Sequence, residues 1–240
     1  MSAPPLLPRA RVEAVHVGRV ADLPFSGGVV RSAFAKRAVT GPIGVAVGGL
    51  DGDEQGDRRH HGGPDKAICV YPAEHYPWFS SCLGRPAPRP ALGENLTVRG
   101  AVEDDVCVGD RWRIDAVVAE VSLPRNPCFK VGARHRVRDA VRWMERTGRT
   151  GYYLRVLEPG ALATGAVIEL LERPHPAATI AEANRVMHHD PLDRAALTAL
   201  LAAPALGDSW RRTFERRLAD GVVEDATGRR LGPAPNQDGI

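Results

Sequence analysis

The chain has 240 residues, of which 43% are apolar, and a formal net charge of +3. That content suffices for one sizeable core and excludes a disordered chain, and so mild a charge argues against a nucleic-acid partner. No run reaches the ~18 consecutive apolar residues of a membrane span, and the opening MSAPPLLPRARVEAVHV lacks the apolar centre of a secretory signal, so a cytoplasmic protein without membrane association is expected.

From Arg9 to about Leu171 the texture is short apolar segments cut by glycine and proline. RVEAVHV alternates imperfectly and GVAVGGL reads as a short strand. KAICVYP (residues 66–72) is almost wholly apolar, as a strand buried on both faces would be. AEHYPWFSSCL has the composition of a short helix that Pro77 breaks or distorts. NLTV, DVCVG, WRID and AVVAEVSL continue the strand series. RVRDAVRWMERTG (residues 136–148) predicts a helix with Val137, Val141 and Met144 on one face and a glycine stop. GYYLRVLEPG and GAVIELLERP are further strands, and so many short strands with turns between them indicate a β-barrel or sandwich.

After RPHP (residues 173–176) the texture changes. Thr179 lies three residues before Glu182, a capping-box spacing. TIAEANRVMH, PLDRAALTALLAAP and DSWRRTFERRLADG predict three compact helices burying Ile180, Met187, Leu197, Leu200, Trp210, Phe214 and Leu218. The fold class is therefore mainly β with helices: a β-domain over residues 1–174 and a small three-helix domain with a tail over 175–240. Arg211, Arg212, Arg216 and Arg217 form either a solvated face or a docking face for an acidic electron-donor protein.

Four stretches carry candidate chemistry. In LDGDEQGDRRHHGGPDK the residues Asp51, Asp53 and Asp57 have calcium-loop spacing, but Gly62 stands where a bidentate glutamate belongs, so calcium is excluded. His60, His61, Gly62, Gly63, Asp65 and Lys66 read as a loop that cradles an anion with cationic donors and backbone N–H groups, or as a plain turn. Glu94 and Asn95 in ALGENLTV suit a ring with several N–H and C=O groups, such as a pterin, and equally an ordinary polar turn. In SLPRNPCFK, Pro124 and Pro127 stiffen the backbone around Cys128, and the charges of Arg125 and Lys130 favour its thiolate, a nucleophile or a soft-metal ligand.

The other cysteines, Cys69, Cys82 and Cys107, read as packing residues, and no C-x-x-C pair suggests zinc. Three lysines stand against twenty-nine arginines. Where arginine is the default cation, Lys36, Lys66 and Lys130 either mark positions that need a compact ammonium or are chance survivors.

Taken in order, LDGDEQGDRRHHGGPDKAICVYPAEHY, GENLT, VCVGDRW and VSLPRNPCFK, followed by TIAEANRVMHH and SWRRTFERR, resemble the MOSC family in its YiiM-like branch. The resemblance spans roughly residues 11–231. It implies a MOSC β-barrel followed by a small three-helix domain. It further implies a molybdenum cofactor (molybdopterin) whose metal is ligated by Cys128, with Arg125, Pro127 and Lys130 as the frame of that ligand. His61, Gly62, Gly63, Asp65 and Lys66 correspond to the family's cofactor loop, Glu94 and Asn95 to its GEN motif, and Lys36 to an early lysine near the pterin phosphate.

The implied activity is reduction of small N-hydroxylated substrates, such as hydroxylamino purines or amidoxime-like compounds. Electrons would come from an external donor reductase, a flavoprotein or similar, with His61 or an acidic neighbour supplying a proton. Leu92 and Leu123 depart from the family pattern at the pocket wall. A barrel rim also allows a homodimer. Two other readings are a sulfur or molybdenum-cofactor carrier using a Cys128 persulfide, and a cysteine hydrolase pairing Cys128 with His61.

Overall fold

A computed structural model of the chain describes residues 10–26, 28–56 and 62–233. Its strands are β1 (Arg11–Val17), β2 (Ala21–Phe25), β3 (Gly28–Ser32), β4 (Arg37–Ala38), β5 (Ile43–Ala46), β6 (Gly49–Leu50), β7 (Ile68–Pro72), β8 (Leu96–Arg99), β9 (Arg111–Ile114), β10 (Val117–Pro124), β11 (Tyr152–Glu158), β12 (Gly160–Leu162) and β13 (Ile168–Glu172). Among the described residues eight of them form one sheet in the order β13-β9-β10-β11-β7-β8-β1-β4, in which β7–β8 is the parallel pair. The sheet curls until its flanks touch at an antiparallel bridge between Arg11 and Val167. Main-chain bonds from Val12 N to Ala166 O and from Ile168 N to Ala10 O, both 2.9 Å, secure that closure.

Strands β7 and β10 are buried at every residue, which explains their lack of alternation. Trp112, Tyr152, Ile114 and Leu154 fill the inside of the curl. A second apolar cluster containing Phe34, Tyr71, Tyr76, Phe79, Leu92 and Met144 lies under the helices of the first domain. DVCVG is not a strand. Val106, Cys107 and Val108 are buried, but they pair with the chain entering the helical domain, through Val108 N to Ala178 O at 2.8 Å and Ile180 N to Val106 O at 2.8 Å. Cys107 N donates to the Asp110 carboxylate at 3.0 Å, which closes the segment into a turn.

The helices are α1 (Tyr76–Leu83), α2 (Phe129–His135), α3 (Ala140–Thr147), α4 (Ile180–His188), α5 (Arg194–Leu201), α6 (Asp208–Asp220) and α7 (Thr227–Leu231). Pro77 starts α1 rather than breaking it, because a first-turn N–H has no partner within the helix anyway. The helix expected from residue 136 begins at Ala140, since Arg136 is the left-handed cap (φ 58°) that ends α2. The three C-terminal helices α4, α5 and α6 form as their spacing predicts, and Thr179 Oγ1 accepts from Glu182 N at 3.0 Å. Ile180, Met187, Leu197, Leu200, Trp210 and Phe214 are buried. No helix among the described residues is long and apolar enough to cross a membrane.

Two of the four arginines on α6 work inside the fold. Arg211 donates to Leu201 O and Ala203 O at 3.1 and 2.6 Å. Arg217 is buried and bonds Val186 O, Met187 O and the Glu224 carboxylate. Arg212 and Arg216 are the exposed pair, so any docking charge on this helix rests on them.

His188 packs edge-on against Trp210, and its Nε2 is buried without a hydrogen-bond partner among the described residues. Burial, reinforced by the charge of Arg229, pushes its pKa down to about 3. Burial also lowers His16 and His135. Each is neutral when folded but takes a proton in the unfolded chain below its ordinary value, so stability is full above about pH 6.5 and is lost as pH falls below it. Denaturant titrations should therefore show unfolding stability declining below pH 6.5, by up to about 1.4 kcal/mol per pH unit for each such histidine. His188→Phe should flatten that slope. An unchanged slope in the variant would show that His188 does not carry it.

Candidate functional site

A cleft of about 590 Å³ opens where four loops meet at one end of the curled sheet. The loop between β3 and β4 contributes Phe34 and Lys36. The acidic turn after β6 contributes Asp53 and Glu54, the turn leading into β7 contributes Lys66, and β7 itself contributes Cys69. Gly93 and Asn95 come from the loop before β8, Arg125 and Cys128 from the loop after β10, Lys130 from the first turn of α2 and Tyr153 from β11. All three lysines of the chain thus line one cleft.

Lys36 is locked into this wall. Its Nζ pairs with the Asp53 carboxylate, which also accepts from Gly18 N at 2.7 Å and Asn95 Nδ2 at 2.8 Å. Asn95 Oδ1 in turn accepts from Cys69 N at 3.0 Å. Glu54 accepts from Val20 N at 2.7 Å, which holds the acidic turn against the chain leaving β1. Asp53, from the turn with calcium-loop spacing, therefore orients a lysine.

Arg125 is the most unusual group in the cleft. Its side chain is buried, and among the described residues no carboxylate lies within ion-pair distance of it. Its contacts are Cys69 Sγ at 4.0 Å and the face of Phe34, whose ring centre is 5.6 Å away. Burial opposes its charge, but the fields of Cys69, Tyr153, Cys128 and Glu94 hold its pKa above the ordinary value. A buried guanidinium met by a thiol and a ring has unused capacity for an anion.

Cys128, itself extended, stands at the N-terminal boundary of α2, buried but lining the cleft. A strap from the C-terminal segment fixes this loop: Arg229 donates to Pro127 O and to Glu145 at 2.7 Å, and Arg230 donates to the same buried carboxylate at 2.9 Å. Cys69, read as core, also lies on the cleft wall; burial pushes its thiol pKa up, against the charge of Arg125. Cys107 is remote from the cleft, and burial followed by the field of Asp110 raises its thiol to about 11.

The remaining sequence-predicted residues divide. Gly62 and Gly63 precede the short 3-10 turn Pro64–Lys66, and Gly63 has φ 95°, a conformation that favours glycine. His61 lies outside the described residues. Glu94 does not line the cleft: it is fully buried and accepts from Tyr76 Oη, Leu92 N and Thr97 Oγ1, so it holds the GEN loop from behind. Asp65 also points elsewhere. Its carboxylate accepts from Arg155 at 2.7 Å and from Asp208 N, at the start of α6, at 3.0 Å. Sequence reasoning misses Asp53, Cys69 and Tyr153 as parts of the site. Cys69 sits in an apolar run without alternation, and Tyr153 has no local signal.

Comparison with known proteins places these features in a family. Residues 57–169 match the MOSC domain, and residues 179–221 match the YiiM-like 3-alpha helix domain. Protein YiiM of Escherichia coli (strain K12) is 37% identical over 204 residues, covering 84% of this chain and 91% of that protein. A protein called Reductase from Gibberella moniliformis is 37% identical over 168 residues, which are 67% of this chain but 29% of that longer one. The crystal structure of YiiM from Geobacillus stearothermophilus superposes with a TM-score of 0.75 at 35% identity, covering 88% of this chain and all of that one.

Asp65 should behave as a joint between the domains. Asp65→Ala removes the one acceptor of the first amide of α6 and one of the three of Arg155, and should lower unfolding stability by about 1–3 kcal/mol in denaturant titrations. Stability equal to that of the parent protein would remove Asp65 from this role.

Proposed function

The chain belongs to the MOSC family, in the branch that carries a YiiM-like three-helix domain, and from that premise we propose that its cleft holds a molybdenum cofactor with which it reduces N-hydroxylated compounds. MOSC domains are associated with molybdenum-cofactor binding in general, and the relative called Reductase supports oxidoreductase chemistry. The observation that carries the reading is the convergence on one cleft of Cys128, all three lysines and a buried Arg125 that pairs with no carboxylate among the described residues.

The donor set fits the group. A pterin dithiolene with a phosphate tail is anionic, and this cleft sets four cationic side chains against the two carboxylates of Asp53 and Glu54. Lys36, Lys66, Lys130 and Arg125 would hold the anion, and Asn95 would offer amide contacts to the pterin ring. Cys128 would be the protein's soft ligand to the metal. When bound, the cofactor supplies the two-electron redox chemistry. The overall conversion is R–NHOH plus two electrons and two protons to R–NH2 and water, with the electrons drawn from an external donor protein. The chain's own part is to bind, orient and tune. Cys69 and Tyr153 flank Arg125 and keep its charge directed into the cleft, and the strap from α7 keeps the Cys128 loop from shifting.

Protein purified from a molybdenum-replete host should contain molybdenum near one atom per chain and reduce an N-hydroxylated substrate with a chemical reductant. Cys128→Ser replaces a polarisable thiolate by a poorly ionised hydroxyl, and should lower turnover by about a hundredfold or more at comparable folded content. Lys66→Ala should lower molybdenum per chain more than it lowers stability. Wild-type turnover in a molybdenum-loaded Cys128→Ser protein would overturn the ligand assignment. Labile cysteine-bound sulfur without molybdenum would favour the carrier role instead.

A further inference from the structure

Cys128 lines two clefts. Besides the cation-lined one, a wider cleft of about 1650 Å³ lies between the barrel and the C-terminal helices, and the two share Lys66, Cys128, Lys130 and Tyr153. The second cleft differs in chemistry. Leu123, Phe129, Met187 and Trp210 give it its apolar surface, with Thr213 of α6 on the helical side, and Lys66, Lys130, Arg212 and Arg229 also line it. Among the described residues no carboxylate lines it. If the first cleft takes the cofactor, the second is the open approach to the same sulfur.

One polar group in this wall is unexplained by the fold. Asn126 Oδ1 is shielded from solvent and has no hydrogen-bond partner among the described residues. Its neighbours in the loop are tied: Arg125 N donates to Gly151 O at 2.9 Å, and Pro127 O accepts from Arg229. Unpaired buried acceptors are uncommon and costly, and because Asn126 lines the cleft two residues from Cys128, a small side-chain rotation would turn this one to a donor brought by a ligand. Mostly apolar walls with a few placed polar groups are the usual make-up of a small-molecule site.

We propose that this second cleft is the substrate site, with Asn126 Oδ1 accepting a hydrogen bond from the N–H or O–H of an N-hydroxylated group. The flat apolar body of an aromatic compound then packs among Leu123, Phe129, Met187 and Trp210. The inference rests on the reductase reading, and it gives the three-helix domain a role in selecting the substrate, since α4 and α6 supply one wall of the cleft. Leu123, where the sequence departs from the family pattern, stands on the opposite wall.

The test uses benzhydroxamic acid as substrate and its amide product, benzamide, as a binding probe followed by calorimetry on the purified full-length protein. Asn126→Leu should weaken benzamide binding and raise KM for benzhydroxamic acid about three- to tenfold, the loss of one hydrogen bond, with a smaller change in kcat. Molybdenum per chain should stay at the wild-type level. Asn126→Asp, which keeps the acceptor, should bind benzamide better than Asn126→Leu. Thr213→Trp narrows the cleft from α6 without touching the Cys128 loop and should weaken benzamide with molybdenum retained. Wild-type benzamide affinity and KM in folded Asn126→Leu and Thr213→Trp proteins would overturn the assignment. So would loss of molybdenum in Asn126→Leu, which would put the residue on the cofactor. A wild-type protein that holds molybdenum but reduces no hydroxamate overturns the reductase reading alone, and benzamide binding then still decides the cleft.

Discussion

The carboxylate of Asp65 joins the two halves of the molecule. It accepts from the Arg155 guanidinium of the barrel at 2.7 Å and from the first amide of α6 at 3.0 Å, while its own main-chain oxygen takes the Ser122 hydroxyl at 2.5 Å. Arg155 continues the joint to Glu120 and to Ala205 O, both at 2.9 Å. The approach is so close that a Cβ at Gly207 would lie 2.3 Å from Leu123 Cδ2. A side chain there would have to push the Leu123 side chain aside. The spacing between barrel and helices, and with it the second cleft, follows from that contact. Because Asp65 directly precedes Lys66 in the chain, the same short turn sets both the domain joint and one cation of the first cleft.

Within the first cleft, charge is arranged before any ligand arrives. Lys36 is held by Asp53, Asp53 by Gly18 N and Asn95, and Asn95 by the backbone of Cys69, so side-chain freedom is already spent in the fold. Preorganisation of this kind reduces what must be ordered on binding. Arg125 is different in kind: among the described residues no carboxylate pairs with it, and a charge so kept out of water is tolerable only where another negative or polarisable group completes its surroundings. The two thiols beside it, Cys69 and Cys128, are the protein's partial answer, and their fields hold its pKa up.

The loop that carries Cys128 draws rigidity from three sources: its prolines, the Arg125 N to Gly151 O bond that ties it to the start of β11, and the C-terminal strap. The strap lies beyond residues 57–169 and 179–221, the two regions that match family models. Glu145 is its anchor, a buried carboxylate that would be costly without Arg229 and Arg230. This chain has thus placed a helix of its own tail against the backbone next to Cys128.

Much of this is legible in the sequence because it is local. The apolar runs of β7 and β10, the Thr179 cap, the glycine after α3 and the three C-terminal helices all follow from spacing within a few residues. Scarcity of lysine is a fact of composition, and it points to three positions that share one cleft. What sequence could not supply was direction. Asp65 and Glu94 carry the right chemistry in the right motifs, yet one carboxylate turns to a helix start and the other is buried behind its loop, because partners ninety and eighteen positions away in the chain, Arg155 and Tyr76, take them. Cys69 reads as packing because both faces of β7 are covered, so no alternation betrays that it faces the cleft. The sequence by itself determined the elements, the caps and the set of reactive side chains, since these depend on short-range sterics and hydrophobic period. Only the tertiary structure decided which of those side chains meet, because ion pairs such as Asp65–Arg155 and the strap on Pro127 form between residues that nothing but the closure of the sheet brings together.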